Sequence, residues 1–453
     1  MTASSTEVAI IGAGIIGIAT AYHLARDHGI ADIALIDQGQ PMAFTSAQSG
    51  ENYRDWWPHP LMVAFVGRSI DLMERIARDS GNRIAMTRRG YVLATRGDIQ
   101  PLLDQLAFCL GDWAASKIRH HDDAVAPAYR RPLRPDWQAA PDGFDVLHHR
   151  ALIGATFPSL DPEVRTVLHV RRAGDISGQQ LGQYMLDWLR DRGVRRVRGS
   201  VEAVRQAGSF ALDLRTPEGM ARLTAGRVVN AAGPFAARIG RMLGADLPLY
   251  NVLQQKITFP DTAGAIPRDM PFAIDLDPQR IDWSPEERDL LLSDPAGAPL
   301  AQEMPGAIHC RPDGGDRGTW VKLGWAYNAT PSEPDWDAPL DARFPEIVLR
   351  GAARLNPGLR AYYGRLPRGL HHYGGWYTRT TDNWPLIGPM GPEGTFMACA
   401  LSGHGTMAAC ATGELTAVWV AEAPLPAYAR PFSLERYGDP ALAATDETSS
   451  GLL

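Results

Sequence analysis

Lysine is almost missing from this 453-residue chain: of its 45 basic residues only Lys117, Lys256 and Lys322 are lysine. Arginine-rich codon usage accounts for the scarcity, and against it each surviving lysine marks a place where a planar guanidinium does not serve. Cysteine is scarce as well. Cys109, Cys310, Cys399 and Cys410 show no C-x-x-C spacing, which excludes a zinc ribbon or a disulfide framework and reads as reduced core thiols. Neither charge dominates, since 45 basic residues face 51 acidic ones, so a nucleic-acid footprint and a polybasic membrane patch are both excluded. Long apolar runs are lacking too. The longest, Val8 to Ala21, is broken by Gly12, Gly14, Gly17 and Thr20 and is too short for a bilayer span. No basic leader or cleavage signal precedes it, so the expected location is cytoplasmic. No internal repeat is visible.

What is present is globular. With 45% hydrophobic and 21% charged residues, and a length beyond the ~250–300 residues at which one core stops growing, two domains are expected. The first thirty-seven residues are the most informative. Val8–Ile11 is a short buried strand, Gly12-Ala-Gly14-Ile-Ile16-Gly17 follows at once, and Ile18–His28 has helical spacing. Ile33–Ile36 is a second strand with Asp37 at its end. Gly12 permits the tight turn, Gly14 lets backbone approach a pyrophosphate, and Gly17 lets the helix pack on the sheet. The helix N-terminus offers free N–H groups to phosphates. Asp37, placed to accept ribose hydroxyls, completes a dinucleotide-binding unit, against the plainer alternative of a structural glycine turn.

Further along, Leu61–Ala77 and Leu181–Arg192 carry helical periodicity, and 119–142 is rich in Pro, Arg and His and reads as an exposed loop. Arg227–Gly233 is a strand entering a glycine turn that contains Ala232 and Gly233. Ser284-Pro285-Glu-Glu287 has the form of a capped helix start and opens an insertion to about Met304. Trp320–Trp325 alternates like a strand, as does Phe396–Ala400. Ser402-Gly403-His404-Gly405 then opens a helix from Thr406. That second glycine turn suits either an electron-rich ring needing N–H donors or a simple helix cap.

The N-terminal glycine unit, Thr45-Ser46-Ala-Gln-Ser49-Gly50, the Val228–Gly233 strand, Asp382–Gly388 and the Ser402–Gly405 turn together resemble the FAD-dependent D-amino-acid oxidase superfamily, including glycine oxidase and monomeric sarcosine oxidase. The resemblance covers most of the chain. It implies an α/β fold: a doubly wound, Rossmann-like FAD domain from residues 1–95, 160–248 and 366–437, and a mixed-sheet substrate domain from 96–159 and 249–365, with 438–453 a flexible tail. It implies FAD held by Gly12, Gly14, Ile16, Gly17, Asp37, Ser46, Ser49, Gly50, Ala232, Gly233, Gly403, His404, Gly405 and Thr406. Trp320-Val-Lys322-Leu-Gly324 is similar to the sarcosine oxidase strand whose lysine promotes reaction of reduced flavin with oxygen, although a snorkelling lysine is the bland alternative. Tyr377 aligns with an active-site tyrosine. Arg54 falls in the flavin-proximal segment or else makes a surface ion pair, and His404 either overlies the flavin or caps a helix.

The departures matter equally. Gly375 stands where sarcosine oxidase attaches flavin through cysteine, and Ala47 or a polar neighbour replaces the attaching histidine of dimethylglycine dehydrogenases, so non-covalent FAD is expected. Met407 and Tyr377 replace the two family anchors for a substrate carboxylate, leaving Arg54 or Arg379. Tyr53, Trp56, Trp57, Trp320, Trp325, Tyr327, Trp376, Tyr377 and Trp384 crowd these segments, as a larger apolar or cationic amine would favour, and at least half are expected in the core. The expected function is oxidation of a C–N bond in a secondary or N-methylated amine or amino-acid derivative to an imine, with oxygen as acceptor and hydrogen peroxide as product. The alternatives are an FAD-dependent dehydrogenase of a 2-hydroxy acid or polyol and the flavin subunit of a hetero-oligomeric oxidase. No metal is called for, the partners are a small-molecule amine and oxygen, and a homo-oligomer is admitted.

Overall fold

The computed structural model describes residues 4–125, 129–131, 137–315 and 318–443. Its first sheet is built around strand β1 (Ser4–Ile11), which leads into helix α1 (Ile15–Asp27) and parallel strand β2 (Ile33–Asp37). On the other side of β1 lies parallel strand β3 (Gly219–Asn230), extended by Thr395–Cys399 and flanked by the hairpin Ser200–Ala207/Ser209–Thr216. Successive side chains of a strand point to opposite faces, and a parallel sheet is covered on both. Val8, Ile10, Ile33 and Leu35 therefore join one core with α1, helix α2 (Gly178–Arg190) and helix α3 (Gly405–Val420). Ala9, Ile11, Ala34 and Ile36 join another, under the hairpin and Ile239. The helix starts three residues earlier than its apolar periodicity shows, because the glycine turn delivers the chain straight into it.

The second sheet has nine strands of mixed direction. One side of it is formed by β4 (Tyr250–Pro260), β5 (Ile308–Asp313), β6 (Trp320–Gly324) and β7 (His371–Arg379), which run inward from the edge strand in the order β7, β4, β6, β5. Ile257, Phe259, Cys310, Val321 and Leu323 pack against the helix Phe344–Leu355. The intervening positions put Lys256, Arg311, Asp313 and Lys322 on the opposite face. Along these four strands, alternation alone thus places these charges on one side.

The α/β class with a second, mixed sheet is as expected. Strand membership departs from the expected segments: Tyr91–Thr95, Thr166–Val170 and β7 fall within the stretches assigned to the dinucleotide domain, yet all pair into the second sheet. Periodicity tells a strand from a helix but not which distant strand it pairs with. Ile118–His121, overlapping the start of the expected 119–142 loop, is a strand parallel to Phe144–Leu147. Within that loop 126–128 and 132–136 lie outside the described residues, as does the expected tail beyond Ala443. The capping box at Ser284 is present: its Oγ accepts from the Glu287 N–H at 3.2 Å and its own N–H donates to Glu287 Oε2 at 2.8 Å. Cys310, Cys399 and Cys410 are buried, while Cys109 is only half-buried. Among the described residues no helix is long and apolar enough to cross a membrane.

The contact between α1 and α3 sets how close the helical layer comes to the sheet. A Cβ on Gly413 would lie 2.5 Å from the backbone carbon of Ala19. Alanine gains up to about 1 kcal/mol in helix propensity over glycine, but a clash with backbone cannot be relieved by a rotamer change and costs ~1–3 kcal/mol. Gly413→Ala is therefore expected to lower the thermal midpoint by several degrees; an unchanged or raised midpoint in a melting experiment would show that α1 can move aside.

Candidate functional site

A two-armed cleft opens at the C-terminal ends of β1 and β3. The outer arm, about 320 Å³, runs from Gly12 and Gly14 past Ala232 and Gly233 to Asp37. The inner arm, about 130 Å³, is walled by β7 and the Ser402–Thr406 turn. Gly14, Ser46 and Gly233 line both.

The turn between β1 and α1 can be made only with glycine at two positions. Gly12 has φ +109°, and a Cβ there would sit 2.2 Å from the Ala231 carbonyl oxygen. A Cβ on Gly17 would fall 1.9 Å from the Gly12 carbonyl oxygen. Backbone thereby faces the cleft with no side chain in the way, at the positive end of a helix dipole, which fits a pyrophosphate. The Ser46 hydroxyl accepts from the first helical N–H, Ile15, at 3.0 Å and so fixes the Thr45–Gly50 segment to this turn. Asp37 accepts from the Ala13 N–H at 2.7 Å and the Gly39 N–H at 2.8 Å. One bond on each carboxylate oxygen leaves lone pairs for ribose hydroxyls.

The inner arm carries one charged group among the described residues lining it, Lys256. Its Nζ donates to Tyr377 Oη at 3.4 Å, and it lies 5.4 Å from that ring's centroid. Gly403 makes room for the tyrosine, since a Cβ there would meet its ring at 2.6 Å. Gly375 is in the wall, with Gln48 where its Cβ would point, 3.1 Å away. Ser49 accepts from Thr406 Oγ1 at 2.8 Å, tying the Thr45–Gly50 segment to α3. Cys399 lines the arm, but burial pushes its thiol up to about 12, so it stays protonated. Ala400 and Ser402 in the wall, and Glu51 beside Gly50, have positive φ (59°, 43° and 60°). Non-glycine residues hold that conformation only where the surroundings impose it.

Lys322 stands next to this arm rather than in its lining. Its Nζ lies 3.7 Å from Asp313 and 3.8 Å from Glu51, and Arg311 bridges the same two carboxylates at 3.1 and 3.8 Å. Burial, then repulsion from Arg311, brings the Lys322 ammonium down to about 8 despite Asp313 and Glu51. Arg54 is fully buried, donates Nε–H to the Trp56 carbonyl at 3.2 Å, and lies over the rings of Trp56, Trp57 and Tyr91. His404 packs edge-on to Trp57 at 4.7 Å behind the glycine turn, and burial followed by repulsion from Arg54 and Arg379 pushes it down to about 3, so its ring is neutral.

Of the residues expected to hold the cofactor, Gly12, Gly14, Asp37, Ser46, Ala232 and Gly233 line the outer arm. Gly14, Ile16, Ser46, Ser49, Gly50, Gly233, Gly403, Gly405 and Thr406 line the inner arm, together with Tyr377. Gly17 supports the turn from behind, and Arg54, His404 and Lys322 form the adjoining layer. Trp376 and Tyr377 are the two expected aromatics in the inner wall, whereas Trp325 and Trp384 are core, and Trp56 and Trp57 point into different cores. Lys256 has no role in the sequence reading. The strand register supplies the reason: Lys256 shares strand parity with Thr258, which lies opposite Lys322, so both lysines emerge on one face, a pairing that local sequence does not show. Phe44, Phe235 and Trp336 at the outer arm were likewise not anticipated.

Replacing Gly12 tests the cradle. In Gly12→Ala the positive φ and the 2.2 Å approach to Ala231 cannot both survive, so flavin retention should weaken about tenfold or more. Purified variant with the wild-type ratio of flavin to protein absorbance would contradict this.

The DAO (FAD dependent oxidoreductase) family description matches residues 7–419. Dimethylglycine dehydrogenase of Rattus norvegicus is 26% identical over 295 residues, which are 64% of this chain and 30% of that protein. The matches span less than half the length of the curated relatives found. Among solved structures, L-proline dehydrogenase from P. horikoshii superposes with a TM-score of 0.71 at 17% identity, covering 96% of this chain and 99% of that one. Glycine oxidase from Geobacillus kaustophilus superposes with a TM-score of 0.69 at 17% identity, covering 95% and 98%. Both structures share the fold. With a glycine cradle, an acidic Asp37 in the same cleft and a family match over nearly the whole described chain, this protein belongs to the DAO family of FAD-dependent oxidoreductases.

Proposed function

We propose that the protein oxidises a C–N bond of a secondary or N-methylated amine, or an amino-acid derivative, to an imine that water then hydrolyses, with oxygen as electron acceptor and hydrogen peroxide as product. FAD supplies the two-electron acceptor. The carrying observation is the chemistry of the inner arm: the Tyr377 ring in an otherwise largely apolar wall, no carboxylate among the described lining residues, and the single cation Lys256. An ammonium in a dry pocket repels a protonated amine and admits the neutral form, the one able to give up hydride. It also attracts a carboxylate elsewhere on the same substrate, in place of the anchors lost at Met407 and Tyr377. Tyr377, fixed by Gly403 and by its bond to Lys256, orients the substrate against the wall. The names of the relatives support a nitrogen-bearing substrate, since dimethylglycine, L-proline and glycine are all amines.

The residues behind the wall have electrostatic roles. Lys322 places positive charge beside the cofactor cavity, where it would stabilise negative charge developing on oxygen. Arg54 adds a second buried cation close to the neutral His404, which holds the turn through its contact with Trp57. Non-covalent attachment is supported by the cavity's donor set: its described lining contains no histidine, and its one cysteine, Cys399, is kept protonated. Acid precipitation should accordingly leave the flavin in the supernatant; colour retained in the pellet would establish a covalent bond.

The deciding experiment is anaerobic mixing of the flavoprotein with amines and 2-hydroxy acids, followed by air. Bleaching by an amine with rapid recovery in air is expected. Bleaching only by hydroxy acids would replace the amine reading, and failure to recover in air would replace oxygen by another acceptor, as the dehydrogenase names among the relatives suggest. The two half-reactions should respond to pH with opposite sign. Reduction rises with pH as the substrate amine deprotonates. Reoxidation falls as pH rises through about 8, where Lys322 loses its charge. Lys322→Met should be slow in reoxidation at every pH and normal in reduction, while Lys322→Arg keeps its charge and loses the fall. Equal loss in both half-reactions would remove Lys322 from this role.

A further inference from the structure

The segment 326–343 joins β6 to the helix Phe344–Leu355 and does not take the short way. It runs back along the second sheet, pinned at intervals: Gln254 Nε2 donates to the Asn328 carbonyl at 2.6 Å, Ser332 N–H to the Asn251 carbonyl at 2.9 Å, Trp376 Nε1–H to the Asp335 carbonyl at 3.0 Å, and Asp341 N–H to Gln255 Oε1 at 2.9 Å. The pin at Asp335 brings the next residue, Trp336, onto the first sheet. Its ring centroid lies 4.4 Å from that of Phe44, and Phe44 stacks on Phe235 at 5.6 Å. Gly39, two residues past Asp37, leaves space for the indole: a Cβ there would approach it to 3.2 Å.

All three rings line the outer arm beside Asp37, and Trp336 is 43% exposed. A large ring anchored through its neighbour but left open on one side is ready for a flat partner, because apolar ring surface gains most when another planar group covers it. The outer arm offers such a partner one position only. Where Asp37 holds the ribose of bound FAD, the heterocycle beyond it would be the base of the nucleotide half, in the outer arm away from Tyr377.

We propose that Trp336 clasps the adenine of FAD, so that a strap from the substrate-side sheet helps to retain the cofactor. The inference rests on the family's FAD and is independent of the amine reading, since its test contains no substrate. Full-length protein stripped of flavin is titrated with FAD, ADP and FMN, following flavin fluorescence for the flavins and displacement of FAD for ADP. In Trp336→Ala, FAD and ADP should each bind about tenfold more weakly, as loss of one aromatic–base stack implies, with FMN unchanged. Trp336→Phe should stay within about threefold of wild type. Unchanged FAD binding in Trp336→Ala, equal weakening of FMN and FAD, or a phenylalanine variant as weak as alanine would each overturn the clasp.

Discussion

The approach of three backbone segments at the end of β1 is the constraint on which the rest depends. Gly12 sits against the Ala231 carbonyl, and Gly17 sits against Gly12's own carbonyl, both closer than any Cβ allows. That contact presses α1 onto the sheet, aims its N-terminus into the cleft, and brings the Ala231–Gly233 turn alongside. Ser46 then hooks the Thr45–Gly50 segment to the first free N–H of α1, and Ser49 hooks the same segment to Thr406 on α3. Two glycine turns that are almost 400 residues apart in the chain thus become opposite walls of one cavity.

The second sheet answers this frame with charge. Because side chains alternate, the face turned from the helix Phe344–Leu355 collects Lys256, Arg311, Asp313 and Lys322, joined by Glu51 from the first sheet's loop. Burying so many charges is tolerable because they nearly balance: Arg311 and Lys322 share Asp313 and Glu51. Lys256 stands apart, with a tyrosine hydroxyl rather than a carboxylate as its bonding partner, and it is the one that reaches the inner arm. The scarcity of lysine makes sense at Lys322. Its ammonium, brought down to about 8, can change charge in a working pH range, which a guanidinium cannot.

Contacts between the two sheets also reach the far end of the cleft. The 326–343 strap carries Trp336 across to Phe44 and Gly39, so the outer arm is bounded by this strap and the inner arm by the second sheet itself. The walls of both arms are in this way built on the same β4–β7 edge, to which the strap is hydrogen-bonded along its length.

Much of this was legible in the chain itself, wherever the determinant is local. A strand, a glycine turn, a helix and an acid within thirty-seven residues need no distant partner to be recognised, and neither does the capping box at Ser284 or the turn at Ser402. Those features fixed the α/β class and the glycines and Asp37 along the outer arm. Pairing across the chain was not legible, because alternating residues in Tyr91–Thr95 and His371–Arg379 are compatible with either sheet. For the same reason the sequence could single out Lys322 by its motif but could not show that Asp313 and Glu51 would engage it, nor that Lys256 would take the place in the cavity wall. Residue type and spacing determined what chemistry the chain carries; which of those residues face the cleft was decided only by the register of β4 against β6 and β7, a long-range interaction that no local pattern encodes.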